Sequence, residues 1–225
     1  MQFKSLKGGQ ELICINVDKV YDWIVKEKSF DISLAGAVIT FTPTGSVPDG
    51  AIVGATVTCE VNPNPTLPIE ILARDDRPFI IDGTPVTLQQ LNIRKNFVIT
   101  FVVTLADGTV LTSATPVEGG VNSVLLISRC EHVTLCAPEG TDVEITYTDL
   151  DCFVCTTGTL TGIAADDTIT FSALTISVVT CQSIQSTFPI TVEFIAEFCE
   201  PRDDLPTECP APIRPLQCPV VFPRA

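Results

Sequence analysis

Histidine occurs once in this 225-residue chain, methionine once, tryptophan once and tyrosine twice. Any Ser-His-Asp or Cys-His arrangement would therefore have to use His132. Basic residues are scarce as well: 13 Lys and Arg stand against 27 Asp and Glu, a formal net charge of −14. That balance lacks the basic footprint with which nucleic-acid binders neutralise phosphates, and it disfavours anionic membrane surfaces. It also keeps free copies apart, so any assembly has to overcome self-repulsion, and salt or a divalent cation would promote it. There is no uninterrupted apolar run of about 18 residues to insert in a membrane. The start, MQFKSLKGGQELICINV, has no apolar stretch of signal-peptide length. Synthesis in the cytoplasm is the expectation, unless a leader has been lost or export uses no cleaved signal. Nucleophile elbows, phosphate loops and Rossmann glycine sets are missing too. The pairs Asp75-Asp76, Asp166-Asp167 and Asp203-Asp204 do not fit EF-hand spacing and read as loop acids. No catalytic residue and no cofactor is assigned, and a non-enzymatic protein is expected.

What the chain does contain is β-branched apolar residues, abundant Thr and period-two patterning, within a hydrophobic content of 45%. In AIVGATVTCEV, Ala51, Val53, Ala55, Val57, Cys59 and Val61 share one face. In NFVITFVVTL, Phe97, Ile99, Phe101, Val103 and Leu105 share one face and the second face is also apolar, which predicts a central strand. Asp107-Gly108 then predicts a hairpin turn into VLTS. DTITFSALTISVV changes parity near Ser172 to Leu174, as a bulge or two kinked strands would require. PITVEFIAEF places Ile190, Val192, Phe194, Ala196 and Phe198 on one side. One stretch departs from this pattern. Val17, Val20, Tyr21 and Ile24 in NVDKVYDWIVKEK fit helical spacing with Asn16 or Asp18 as N-cap, although two strand faces also fit; a short helix is expected.

Roughly ten to twelve strands separated by Pro, Gly and Asp signals predict an all-β, antiparallel sandwich-like body of two packed β domains. The expected division is an N-terminal arm with a short helix over 1–27, β domains over 28–130 and 131–200, and a tail over 201–225. From Glu200 onward, seven prolines in 26 residues predict an extended, polyproline-like conformation.

Ten cysteines occupy positions 14, 59, 130, 136, 152, 155, 181, 199, 209 and 218. In an oxidising setting they read as disulfides, in a reducing one as metal or redox groups. A zinc site drawing on Cys130, His132, Cys136, Cys152 and Cys155 is the lesser alternative, because the two clusters lack a finger's mutual spacing. Cys152 and Cys155 stand in a β context without the helix that a thioredoxin-type CxxC requires. Cys14, Cys199, Cys209 and Cys218 lie toward the chain ends, and an extended tail of 20 residues spans roughly 60 Å. They can staple their own domain or a neighbouring copy, with strand addition at a sheet edge supplying the non-covalent contact.

Three stretches, ICINVDKVYDWIVKEKSFDI, CAPEGTDVEITYTDLDC and CQSIQSTFPITVEFIAEFCEPR, resemble cysteine-rich structural proteins from the outer layers of bacterial endospores. The last is the most specific, with Cys181-Gln182-Ser183-Ile184-Gln185 and Phe198-Cys199-Glu200-Pro201-Arg202 framing one strand unit. The resemblance implies a self-assembling, disulfide-cross-linked subunit of an exosporium lattice, coat or spore-surface fibre. It implies synthesis in the mother-cell cytoplasm and deployment on the spore surface, with further copies and other spore-layer proteins as partners. It brings no catalytic residues. A surface β-sandwich adhesin, a zinc-stabilised domain and a phage or virus structural protein are the alternatives.

Overall fold

The computed structural model describes residues 10–197, with side chains from 13 to 196. Most of the arm's first residues, Cys199 and the whole 201–225 tail with Cys209 and Cys218 lie outside the described residues. Twelve strands make up the body: β1 (Gln10–Leu34), β2 (Ala37–Thr42), β3 (Gly50–Ile52), β4 (Thr56–Pro63), β5 (Ile69–Ile81), β6 (Thr84–Thr104), β7 (Val110–Ser113), β8 (Leu126–Leu135), β9 (Asp142–Thr156), β10 (Leu160–Ile163), β11 (Thr168–Phe171) and β12 (Leu174–Glu197). Two short 3-10 turns, Ser123–Leu125 and Ala164–Asp166, are the only helical pieces among the described residues. The chain divides into two compact units. One is Asn16–Ile190; the other joins Met1–Ile15 with Thr191–Ala225.

The larger unit is an antiparallel β sandwich, as the sequence pattern predicts. One sheet has the order β1-β12-β9. The other runs β3-β10-β11-β2-β7-β6-β4, with β5 and β8 also paired to β6. Strand β6 is the central strand that its two apolar faces predict. Leu91, Ile93, Phe97, Ile99, Phe101 and Val103 alternate inward and are buried. Its length lets it pair with β4 and β5 in succession on one side and with β7 and β8 on the other. The Asp107-Gly108 hairpin forms, with Gly108 at φ 89° and Leu105 accepting from its N–H. A second Asp-Gly turn closes β5 onto β6. Asp82 and Gly83 both have positive φ, 49° and 77°, the geometry of a tight hairpin turn.

The interior has two apolar clusters. In the larger one, Phe41, Phe97, Phe101 and Phe171 meet Ile32, Leu174, Ile176 and Val178 from the facing sheet. The smaller one gathers Leu91, Ile93, Val133, Leu135, Ala137 and Ile184. The chain passes between the sheets four times: from β1 to β2 through Gly36, from β8 to β9, from β9 to β10, and from β11 to β12 through Ser172 and Ala173. The parity change near Ser172 is the last of these crossings: two separate strands with their own alternation.

Four expectations need correction or relocation. No helix forms over residues 16–28; β1 runs through them, and Cys14 lies within that strand. Period-two reading was confounded there because Tyr21, Trp23 and Val25 face solvent while Asp22 and Lys26 point inward. AIVGATVTCEV is two strands, broken at Gly54 (φ 76°), so Ala51 and Val53 are exposed while Ala55, Val57, Cys59 and Val61 keep the inward side. PITVEFIAEF is a strand, but Phe194 is exposed. The boundary expected between 130 and 131 falls inside β8, and the 28–130 and 131–200 segments interleave: β10 pairs with β3 and β11 with β2. Gly162 in this region faces the Pro48 carbonyl so closely that a Cβ there would collide with it.

Candidate functional site

The two sheets are fastened to each other differently along their two open seams. At one seam, β4 and β9 are edge strands of opposite sheets, and a Cys59–Cys152 disulfide joins them with Cα atoms 5.5 Å apart. Each cysteine occupies an inward position, Cys59 between Val57 and Val61 and Cys152 between Leu150 and Val154. At the other seam, side chains link β1 to β8 and the residue after it. The Asp22 carboxylate accepts from the Cys136 N–H at 2.8 Å, and Lys26 Nζ donates to the His132 carbonyl at 3.4 Å. Charged side chains on an exposed edge discourage further strand pairing.

Between the two apolar clusters lies a polar layer. Lys95 takes an inward position on β6 between Ile93 and Phe97, and Glu131 does the same on β8 beside Val133. Gln182 faces them from β12 beside Ile184. Lys95, Glu131 and Gln182 are 4%, 8% and 0% exposed. Lys95 Nζ donates to Glu131 Oε2, and to Gln182 Oε1 at 2.5 Å. The same Glu131 Oε2 accepts from Gln182 Nε2 at 3.1 Å, while the half-buried Lys26 reaches Glu131 Oε1 at 2.5 Å. Tyr147 lies directly across from Gln182 on β9 and packs edge-on against Phe97.

Burial alone would raise the Glu131 pKa. Hydrogen bonds from Lys26 and Lys95, the Lys95 charge and the Gln182 amide outweigh it and hold the carboxyl at about 2 instead of 4.5. Lys95 is held below 10.5, because burial disfavours its ammonium more than Glu131 favours it. Burial, and then the Glu131 charge, push Tyr147 up to about 12. The layer also fixes register, since a one-residue slip of β6, β8 or β12 would turn one of these groups outward and break the set.

The remaining thiols of the described residues are free. Cys14, Cys130 and Cys155 are exposed, while Cys136 and Cys181 are half-buried. Cys130 and His132 share the outward face of β8, Cys152 is taken by Cys59, and Cys155 points away from Cys152. The five residues of the zinc alternative are therefore not brought together. Among the described residues no three His, Cys, Asp or Glu side chains group as a metal site. Nor can the free thiols of one strand face pair internally. Cys130 and Cys136 are six residues apart, as are Cys155 and Asp149, the residue opposite Cys181. Six residues of strand cover about 20 Å, against the roughly 7 Å limit on Cα separation for a disulfide.

Sequence reasoning singled out the terminal cysteines and missed Cys130 and Cys155 as exposed thiols. The signal was available: an x, x+3 spacing on a strand puts Cys152 and Cys155 on opposite faces, so they cannot be partners. Brief maleimide treatment of native protein should label Cys14, Cys130 and Cys155 first, Cys136 and Cys181 more slowly, and Cys59 and Cys152 only after reduction. Peptide mapping reads the order, and labelling of Cys59 without reductant would show that the bridge is absent.

Residues 62–70 and 115–128 border an open groove of ≈ 1140 Å³ over the outward face of β6. Its one ion pair, Arg94–Glu70 at 2.9 Å, is more than 40% exposed on both sides, the setting in which such pairs contribute least. In comparisons with known proteins, no family model, no curated protein and no solved structure matches the chain.

Proposed function

We propose that this chain is a structural, self-assembling subunit of an endospore surface layer or fibre, held by β contacts and intermolecular disulfides. The observation that carries the reading is the placement of the thiols. One disulfide closes the body, while exposed Cys130 and Cys155 project from the outward faces of opposite sheets and form no disulfide among the described residues. A disulfide to a neighbouring copy satisfies them. Cys14, Cys199, Cys209 and Cys218 add candidates toward the chain ends, the last three outside the described residues. The three sequence stretches resembling spore-layer proteins supply the setting.

Two apolar surfaces support the non-covalent half of such contacts. Tyr21, Trp23 and Val25 form an exposed stripe along β1, an edge strand of its sheet. The β5–β6 hairpin extends past the end of β8, whose last pair is Leu135 with Gln89. The five residues 84–88 of β6 then have β5 alone beside them for about 17 Å. Phe79, Ile80 and Ile81 are exposed near the tip. Exposed apolar groups gathered on a protruding ribbon mark an interaction surface, and a thiol held beside its partner by such contacts reacts at high effective concentration.

Purified protein oxidised in air should run as a ladder on non-reducing gels and collapse to monomer with reductant, with polymers visible by negative-stain microscopy. Cys130→Ser combined with Cys155→Ser should shorten the ladder. Monomer under both conditions and no polymer in the images would overturn the reading.

A further inference from the structure

We propose that Lys95 and Gln182 become joined, after folding, by an amide bond between side chains, and that Glu131 catalyses its formation. The inference is independent of assembly and rests on how three buried groups are placed. A primary amine, a carboxamide and a carboxyl group from three strands meet in one layer: Lys95 Nζ touches Gln182 Oε1, and one oxygen of Glu131 touches both Lys95 Nζ and Gln182 Nε2. The nucleophile, the leaving nitrogen and a proton carrier are therefore already in mutual contact. Phe97 and Tyr147 on one side, and Ile93, Val133 and Ile184 on the other, keep the layer dry. Holding reactants in contact replaces a bimolecular encounter by an intramolecular one, an advantage of up to about 10⁵–10⁸ M in effective concentration.

The step balances with no outside reagent. Lys95 gives an ammonium proton to Glu131 Oε2 and becomes a neutral amine. Its lone pair attacks Gln182 Cδ, forming the Nζ–Cδ bond, and the Cδ–Nε2 bond breaks. Glu131 hands its proton to Nε2, which departs as ammonia. A second Lys95 proton passes through Glu131 and leaves with the ammonia as ammonium. Nothing is oxidised or reduced, and Glu131 ends as the carboxylate it began as. Lys26 favours that carboxylate and so opposes the first proton transfer, which makes the bond a slow product of the folded state. Escape of ammonia to solvent and exclusion of water make it lasting.

The test is the intact mass of the full chain, folded, incubated, then reduced and denatured. The expected result is a mass short by one ammonia, with fragmentation placing the loss in a branched peptide that links Lys95 to Gln182. Trypsin should no longer cut after Lys95. An unshifted mass overturns the proposal, and so does an ammonia loss located at Gln2 by cyclisation of the N-terminus. Loss of one water with Lys95 joined to Glu131 also overturns it, because the electrophile would then be the carboxyl group. Lys95→Arg keeps a cation beside Glu131 and should show the full mass. Folded Glu131→Gln should show it as well, and persistence of the Lys95–Gln182 link in that variant would remove the catalytic role.

Discussion

Replacing Cys59 and Cys152 together by alanine should lower the unfolding free energy by about 4–5 kcal/mol, the loop-entropy value for a bridge closing about 93 residues. The denatured chain loses the cross-link and gains the conformations that it forbids. The folded chain loses only two half-buried sulfur atoms at the β4–β9 seam. Urea unfolding measures the difference, after the free thiols of both proteins are blocked by alkylation in the native state. The denaturant slope should rise as well, because the uncrosslinked denatured state exposes more surface. A change below about 1 kcal/mol would mean that the β4–β9 seam holds without its bridge and that the denatured chain is already compact.

Glu131→Ala should cost a similar amount, about 3–5 kcal/mol, because it strands a buried amine between two apolar clusters. The loss is expected whether or not the amide has formed in the wild type, since the variant has neither counter-charge nor catalyst. Removing the whole polar set, as in Lys95→Met with Glu131→Leu and Gln182→Leu, should recover most of the stability, because no unpaired polar group is left in the layer. Thermal or urea unfolding of the three proteins makes the comparison. If Glu131→Ala unfolds like the wild type, the layer is open to water.

The same carboxyl sets an acid limit. Its folded pKa of about 2 lies below the ordinary 4.5, so the unfolded chain binds the extra proton between these values. The stabilisation is complete above about 4.5 and is lost as the pH falls toward 2, a difference of roughly 3 kcal/mol. An amide at Lys95 removes one of the two cations beside Glu131 and shrinks that loss. Unfolding measured across this range is therefore a second reading of the bond.

Local alternation decided much of the fold without help from tertiary structure. Phe97, Ile99, Phe101 and Val103 can all be buried only if their stretch is a strand, and apolar residues on both faces make that strand central. Asp107-Gly108 fixes a hairpin because a tight turn needs positive φ. The inward parity of Lys95 was legible in the same way, two residues before Phe97, and that of Glu131 two before Val133. What could not be read was which strands meet. Tyr21, Trp23 and Val25 gave β1 an apolar face that stays in solvent, so its pattern mimicked a helix. No local rule says that β10 and β11 join β3 and β2, or that Cys59 finds Cys152 across 93 residues.

The chain's composition and period-two spacing by themselves determined that the protein is all-β and which side of most strands turns inward, because side-chain direction alternates with every residue. Only the tertiary structure decided that Lys95, Glu131 and Gln182 share one dry layer and that Cys130 and Cys155 face outward on opposite sides. Those outcomes depend on contacts between distant segments, which packing the sheets together sets and neighbouring residues do not.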